Sequence, residues 1–248
     1  MSTTPPAQSA RAPRDIFATT HWTMVLAAGG EPTPQAEEAL ADLCRTYWYP
    51  LYAYARRRGY SKPDAEDLTQ GFLARLLQHD SLAGMCRQKG KFRAFLLASM
   101  KHFIADEWDR ASAGKRDVQR TVALDVETAE GRYLTEPVDT ITPERLFERQ
   151  WALALLEAAV QRLRQDYDAL GQASLFMELR FALTGERSAV PYADLAARLG
   201  MTSEAVRVAV HRLRQRYRHV LRAEIAHTVT DEAEISAELD YLRRVLSS

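Results

Sequence analysis

From Gln35 to the end of the chain, apolar residues recur at three- and four-residue intervals, and no stretch alternates apolar and polar with the period of a strand. That spacing restricts the fold to helices packed through one face each. Leu40, Leu43, Tyr47 and Trp48 form a first stripe, and Pro50 to Gly59 reads as a second short helix with proline in its first turn. Ser61, followed by Asp64, is an N-cap, and the helix after it turns Leu68, Phe72 and Leu76 inward with Leu73 beside them. His79 to Gly90 reads as a loop, and Lys91 to about Ala113 as one long helix with Phe92, Phe95, Leu96, Ser99 and Phe103 on a stripe. Thr142-Pro143-Glu144 opens another long helix carrying Phe147, Trp151, Leu155 and Leu163, and Ala173 to Leu183 is a further one. Ile235, Leu239, Leu242 and Leu246 mark an amphipathic helix at the C-terminal end. Ile16 to Ala28 is apolar enough to pack against something before Gly29, Gly30, Pro32 and Pro34 break it.

With 248 residues and 46% apolar content, the chain has material for two small helical domains. The 33 basic and 33 acidic residues cancel, so any nucleic-acid partner must be met by local patches. Such patches exist. Arg87 to Arg120 carries nine basic against four acidic residues, interleaved with Phe92, Phe95, Phe103 and Trp108. Cations beside aromatic rings suit single-stranded or distorted nucleic acid, although the three phenylalanines also lie on the core stripe. Residues 121 to 148 carry seven acids against two arginines and read mostly as an acidic linker. Cys44 and Cys86, the two cysteines, make neither a disulfide framework nor a zinc site and fit a reducing compartment. No apolar run approaches the ~20 residues of a membrane span, and the polar N-terminal stretch lacks the h-region of a secretory signal. A cytoplasmic protein without membrane insertion is expected.

The segment with the most specific mechanism is YADLAARLGMTSEAVRVAVHRLRQRYRHVLRAEI. Tyr192 to Leu199 is a short helix, Gly200-Met201 a tight turn, and Thr202 or Ser203 caps a second helix, the pattern of a helix-turn-helix. At ~100° per residue, Val206, Val210, Leu213 and Tyr217 share the inward face. Glu204, Arg207, His211, Arg214, Gln215 and Arg218 occupy the opposite arc. Met201 to Arg222 holds six arginines and one acid, and guanidinium forks grip phosphate or a guanine edge. Catalytic motifs are missing: there is no G-x-S-x-G, no GxxxxGK[ST], no H-E-x-x-H and no paired-cysteine metal spacing. Neither an enzyme nor a cofactor or metal site is expected.

Taken in order, DAEDL-x-Q-x-F, then KFRAFL and KHFIAD, an acidic stretch, and PYADLAARLG with VHRLRQR resemble the extracytoplasmic-function (ECF) group of bacterial RNA polymerase sigma factors over roughly Gln35 to Ala226. The resemblance implies an all-α chain of two helical domains, a sigma region 2-like bundle at 35–118 and a region 4-like helix-turn-helix domain at 143–226. An N-terminal extension (1–34), an acidic linker (119–142) directed toward the RNA exit path and a C-terminal acidic helix (227–248) complete it. The implied function is a transcription initiation factor that binds core RNA polymerase and directs it to promoters. Asp64, Glu66, Asp67, Leu68, Gln70 and Phe72 would meet polymerase. Arg87, Lys89, Lys91, Phe92, Arg93, Lys101, His102, Asp106, Arg110, Lys115 and Arg116 would recognise and melt the −10 element. Thr202, Ser203, Glu204, Arg207, Val208, His211, Arg212 and Arg214 would read the −35 element. Relatives controlled by anti-sigma factors or serine/threonine kinases suggest such partners here too, with Thr69 as the phosphorylated residue. The C-terminal segment, with six acids and two arginines after Ala223, would either pack or fold back on the arginine-rich helix. The alternative reading is a helix-turn-helix regulator that is not a polymerase subunit.

Overall fold

A computed structural model of the chain describes residues 21, 22, 25, 33–77, 91–112, 126–135, 141–183 and 191–247. Among them the regular structure is all helix: α1 (Pro34–Arg57), α2 (Lys62–Leu76), α3 (Phe92–Ser112), α4 (Val126–Leu134), α5 (Pro143–Ala169), α6 (Ala173–Leu179) with a 3-10 turn at Arg180–Leu183, α7 (Tyr192–Leu199), α8 (Ser203–Ala226) and α9 (Glu234–Ser247). Side-chain caps set the starts. The hydroxyls of Thr33, Ser61, Thr142 and Thr202 accept the N–H groups of Ala36, Asp64, Arg145 and Ala205, occupying donors that the first turn leaves free. The two helices expected around Pro50 run on as one. Tyr47 takes φ −115° and ψ 17°, and that kink absorbs the ring that would otherwise clash with the preceding turn.

Two cores share this scaffold. In the first, α1 lies along the N-terminal half of α5, and α2, α3, α9 and the end of α8 close around them. At its centre Tyr47 stacks on Trp151 with ring centroids 3.8 Å apart, and Phe92 lies 4.9 Å from Trp22 and 5.9 Å from Trp151. The second core joins Ala159, Leu163 and Tyr167 of α5 to Phe176, Leu179, Leu195, Val206, Val210 and Leu213.

The partition between them differs from the expected one. The 27 residues of α5 supply Leu146, Phe147, Trp151 and Leu155 to the first core and Leu163 and Tyr167 to the second. Likewise α8 gives Val206, Val210 and Leu213 to the second core and Ile225 and Ala226 to the first. The boundary therefore runs across two continuous helices, where a tether at 119–142 was expected. Within that stretch α4 is seated on α1: Ala129 is buried, and Glu130 accepts Arg56 through Nε at 3.0 Å and Nη2 at 2.7 Å and also accepts the Tyr52 hydroxyl. Arg56 and Arg132 lie over the rings of Tyr133 and Tyr49. An inward acid answered by an inward arginine does not register as an apolar stripe, so periodicity alone reads the segment as solvated. Of the apolar segment before the first helix, the described residues Trp22 and Val25 are buried. Trp22 is fully buried, and its N–H donates to the His227 carbonyl at 3.1 Å.

Candidate nucleic-acid interface

The helix-turn-helix is built as its residues dictate. Gly200 ends α7 with φ +62°, a left-handed conformation that costs glycine no Cβ clash, and the Met201 N–H returns to the Ala196 carbonyl at 2.9 Å. Thr202 then caps α8, whose Val206, Val210 and Leu213 are buried against α5 and α7. Opposite them Arg207, Val208, His211, Arg212, Arg214 and Arg218 are all exposed. The side chains of His211, Arg212 and Arg218 make no hydrogen bond or ion pair among the described residues. Arg207 pairs with Glu204 at 3.2 Å across the first turn, a solvated pair that a stronger anion can displace. Arg214 is partly committed elsewhere, since its Nε donates to the Ala182 carbonyl at 3.1 Å and ties α8 to the 3-10 turn. Thr202 is exposed but its hydroxyl serves the cap, and Ser203 is half-buried.

On α2 the expected polymerase contacts divide. Asp64 and Asp67 are exposed, and Glu66, Leu68 and Gln70 are half-buried, with the Gln70 amide donating to Glu66 at 3.1 Å. Phe72 does not belong with them. It is 3% exposed and packs edge-on against Phe103, because its position falls on the inner stripe of the helix. Thr69 is corrected too. It is fully buried, its hydroxyl donating to the Ala65 carbonyl at 2.7 Å, which leaves no access for a kinase in the folded chain.

The −10 candidates scatter more widely. Arg87, Lys89, Lys115 and Arg116 lie outside the described residues, as does Cys86, and Arg110 is placed only as part of α3. His102 is exposed; Lys101 pairs with Glu144 at 2.8 Å, and Asp106 with Arg75 at 3.0 Å. The Lys101 ammonium holds the Glu144 carboxyl below its ordinary range. Phe92 is fully buried among aromatic rings and cannot meet a base in this conformation. Lys91 and Arg93 on either side of it point to a residue that sequence reasoning passed over. The Glu238 carboxylate of α9 accepts Lys91 Nζ at 2.7 Å and Arg93 Nε at 2.5 Å. Of the two outcomes expected for the C-terminal segment, packing is the one seen: Ile235 and Leu242 of α9 join the first core, and its buried acid meets the start of α3. A signal was present: Glu238 falls between Ile235 and Leu242 at helical spacing, an acid on an apolar stripe.

Trp108, 71% exposed near the end of α3, borders a shallow cleft with Arg58, Gly59 and Tyr60. No cluster of histidine, cysteine or acidic side chains among the described residues could hold a metal ion, and the Cys44 thiol is buried and pushed up to about 12 by desolvation. Among the described residues, no helix is long and apolar enough to cross a membrane.

No family model, curated protein sequence or solved structure matches the chain.

Proposed function

We propose that the chain is a transcription initiation factor that binds core RNA polymerase and directs it to promoters, in the manner of an ECF sigma factor. The observation that carries this reading is the exposed face of α8 behind the Gly200 turn. Arg207, Val208, His211 and Arg212 stand there on one side of a rigidly capped helix, as a −35 reader in the major groove requires. Arginine forks would take guanine edges or phosphates and Val208 a thymine methyl. The acidic, accessible side of α2 at Asp64, Glu66 and Asp67 supports a separate protein contact with polymerase. The basic start of α3 would then serve the melted −10 strand, and an anti-sigma factor would act by covering one of these faces.

Copurification tests the reading. The protein should comigrate with core RNA polymerase on a sizing column, and Asp67→Lys should abolish comigration by reversing charge at the contact. Arg207→Ala should leave comigration intact while weakening −35 binding by about 1–3 kcal/mol. A second reading draws on one observation, the engagement of Lys91 and Arg93 by Glu238. A helix-turn-helix regulator would need only α8, and it would bind duplex DNA without comigrating with polymerase.

A further inference from the structure

Glu238 is 1% exposed, yet its helix is the outermost layer of the first core, with Ser236, Ala237, Asp240, Arg243 and Arg244 all in solvent. Packing does not call for an acid there. A buried ion pair spends its attraction on desolvation, and an apolar side chain would extend the Ile235–Leu242 stripe at least as well. What the acid does is answer two cations two residues apart. Lys91 Nζ and Arg93 Nε converge on one carboxylate, the Arg93 guanidinium lies over the Tyr241 ring, 3.7 Å from its centroid, and only the far edge of that guanidinium, Nη1, reaches a second acid, Glu148 of α5, at the longer distance of 3.9 Å. A lysine and an arginine converging on a single anionic group is also how a backbone phosphate is held. The turn after α8 completes the clamp, the Phe92 N–H donating to the Thr228 carbonyl at 2.9 Å. Meanwhile, among the described residues, no ion pair joins an α8 arginine to an acid of α9.

We infer that Lys91 and Arg93 form a phosphate-binding pair for a nucleic-acid strand, and that Glu238 of α9 occupies it as an internal substitute until α9 is displaced. The inference rests on reading α3 as a nucleic-acid face. It orders events: duplex binding by α8 is open in the resting chain, and strand binding at α3 follows release of α9.

The test uses the full chain with a fluorescein-labelled single-stranded DNA of mixed sequence and a labelled duplex, followed by anisotropy, with hydrogen exchange along α9 as a second readout. Glu238→Gln should raise exchange in α9 and bind the single strand about tenfold tighter, since affinity scales with the open fraction. Its salt dependence should steepen by about 0.7 as that one phosphate is engaged. Duplex affinity should not move, and adding Lys91→Ala and Arg93→Ala should remove the gain. If α9 loosens and no strand binding is gained, the pair is no phosphate site and the reading of α3 fails with it. If α9 stays protected and affinity is unchanged, the lock is wrong, and the reading of α3 is then judged by whether Lys91→Ala with Arg93→Ala weakens strand binding in the parent chain. Should Glu238→Gln not fold, Tyr241→Leu decides. It keeps the ion pair and the apolar bulk but removes the ring under Arg93, and a gain of about threefold is expected, against none if the inference is wrong.

Discussion

Thr69 illustrates how one hydroxyl settles a question of regulation. Its donor is satisfied by the Ala65 carbonyl one turn back, at a position with no solvent exposure. Thr69→Val should therefore change stability by less than about 1 kcal/mol, because both the hydroxyl and its need for a partner vanish together. Thr69→Asp, a charge with no buried partner, should cost about 3 kcal/mol or more in urea denaturation. His227 offers a second residue-scale measurement. Burial, with His21 and Arg162 adding to it, pushes its pKa from 6.5 down to about 4, and its Nδ1 accepts the His21 N–H at 3.2 Å only when neutral. Between those values the unfolded chain binds the proton and the folded chain does not, so stability is full above pH 6.5 and falls as pH drops toward 4. Denaturation at pH 7 and pH 5 should differ by about 1–2 kcal/mol from this group, and His227→Gln should erase that part.

At the scale of elements, the turn between α7 and α8 is the piece most legible in the chain. A glycine, a cap and two short-range stripes are local signals, and each found its place. The backbone there leaves open space around Gly200, so Gly200→Ala meets only the left-handed φ of +62° and should cost about 1–2 kcal/mol, read as a shift of the thermal midpoint. Elements held by charge were harder to read. Helix α4 docks through Glu130 and Arg56, and α9 through Glu238, Lys91 and Arg93, pairs separated by 74 and by up to 147 residues along the chain. A charged residue in a linear sequence carries no mark of the partner that will neutralise it, so α4 reads as part of an acidic linker and α9 as an amphipathic helix whose acids have no assigned partner. Phe72 and Phe92 misled in the opposite direction. Their motif placed them at an interface, whereas their position on the inner stripe assigns them to the core, and the stripe prevailed.

For the molecule as a whole, α5 and α8 run through both cores and make them one mechanical body. Unfolding followed by tryptophan emission, which reports mainly the first core, should coincide with unfolding followed by helical circular dichroism. Ala158→Pro, placed where α5 passes from one core to the other, should split the curves, since proline breaks the helix at a cost of about 3 kcal/mol. Coincident curves in that variant would mean that α8 alone suffices to couple the halves. The same body carries its own optics. Trp22 and Trp151 are sealed in the first core, Trp48 is half-covered, and Trp108 stands in water on the cleft beside Arg58 and Tyr60. Iodide should quench the red edge of the emission, which belongs to Trp108, and leave the blue edge bright. A ligand settling at the far end of α3 would dim one colour and the opening of the core another, so an unlabelled sample can report which of the two events comes first.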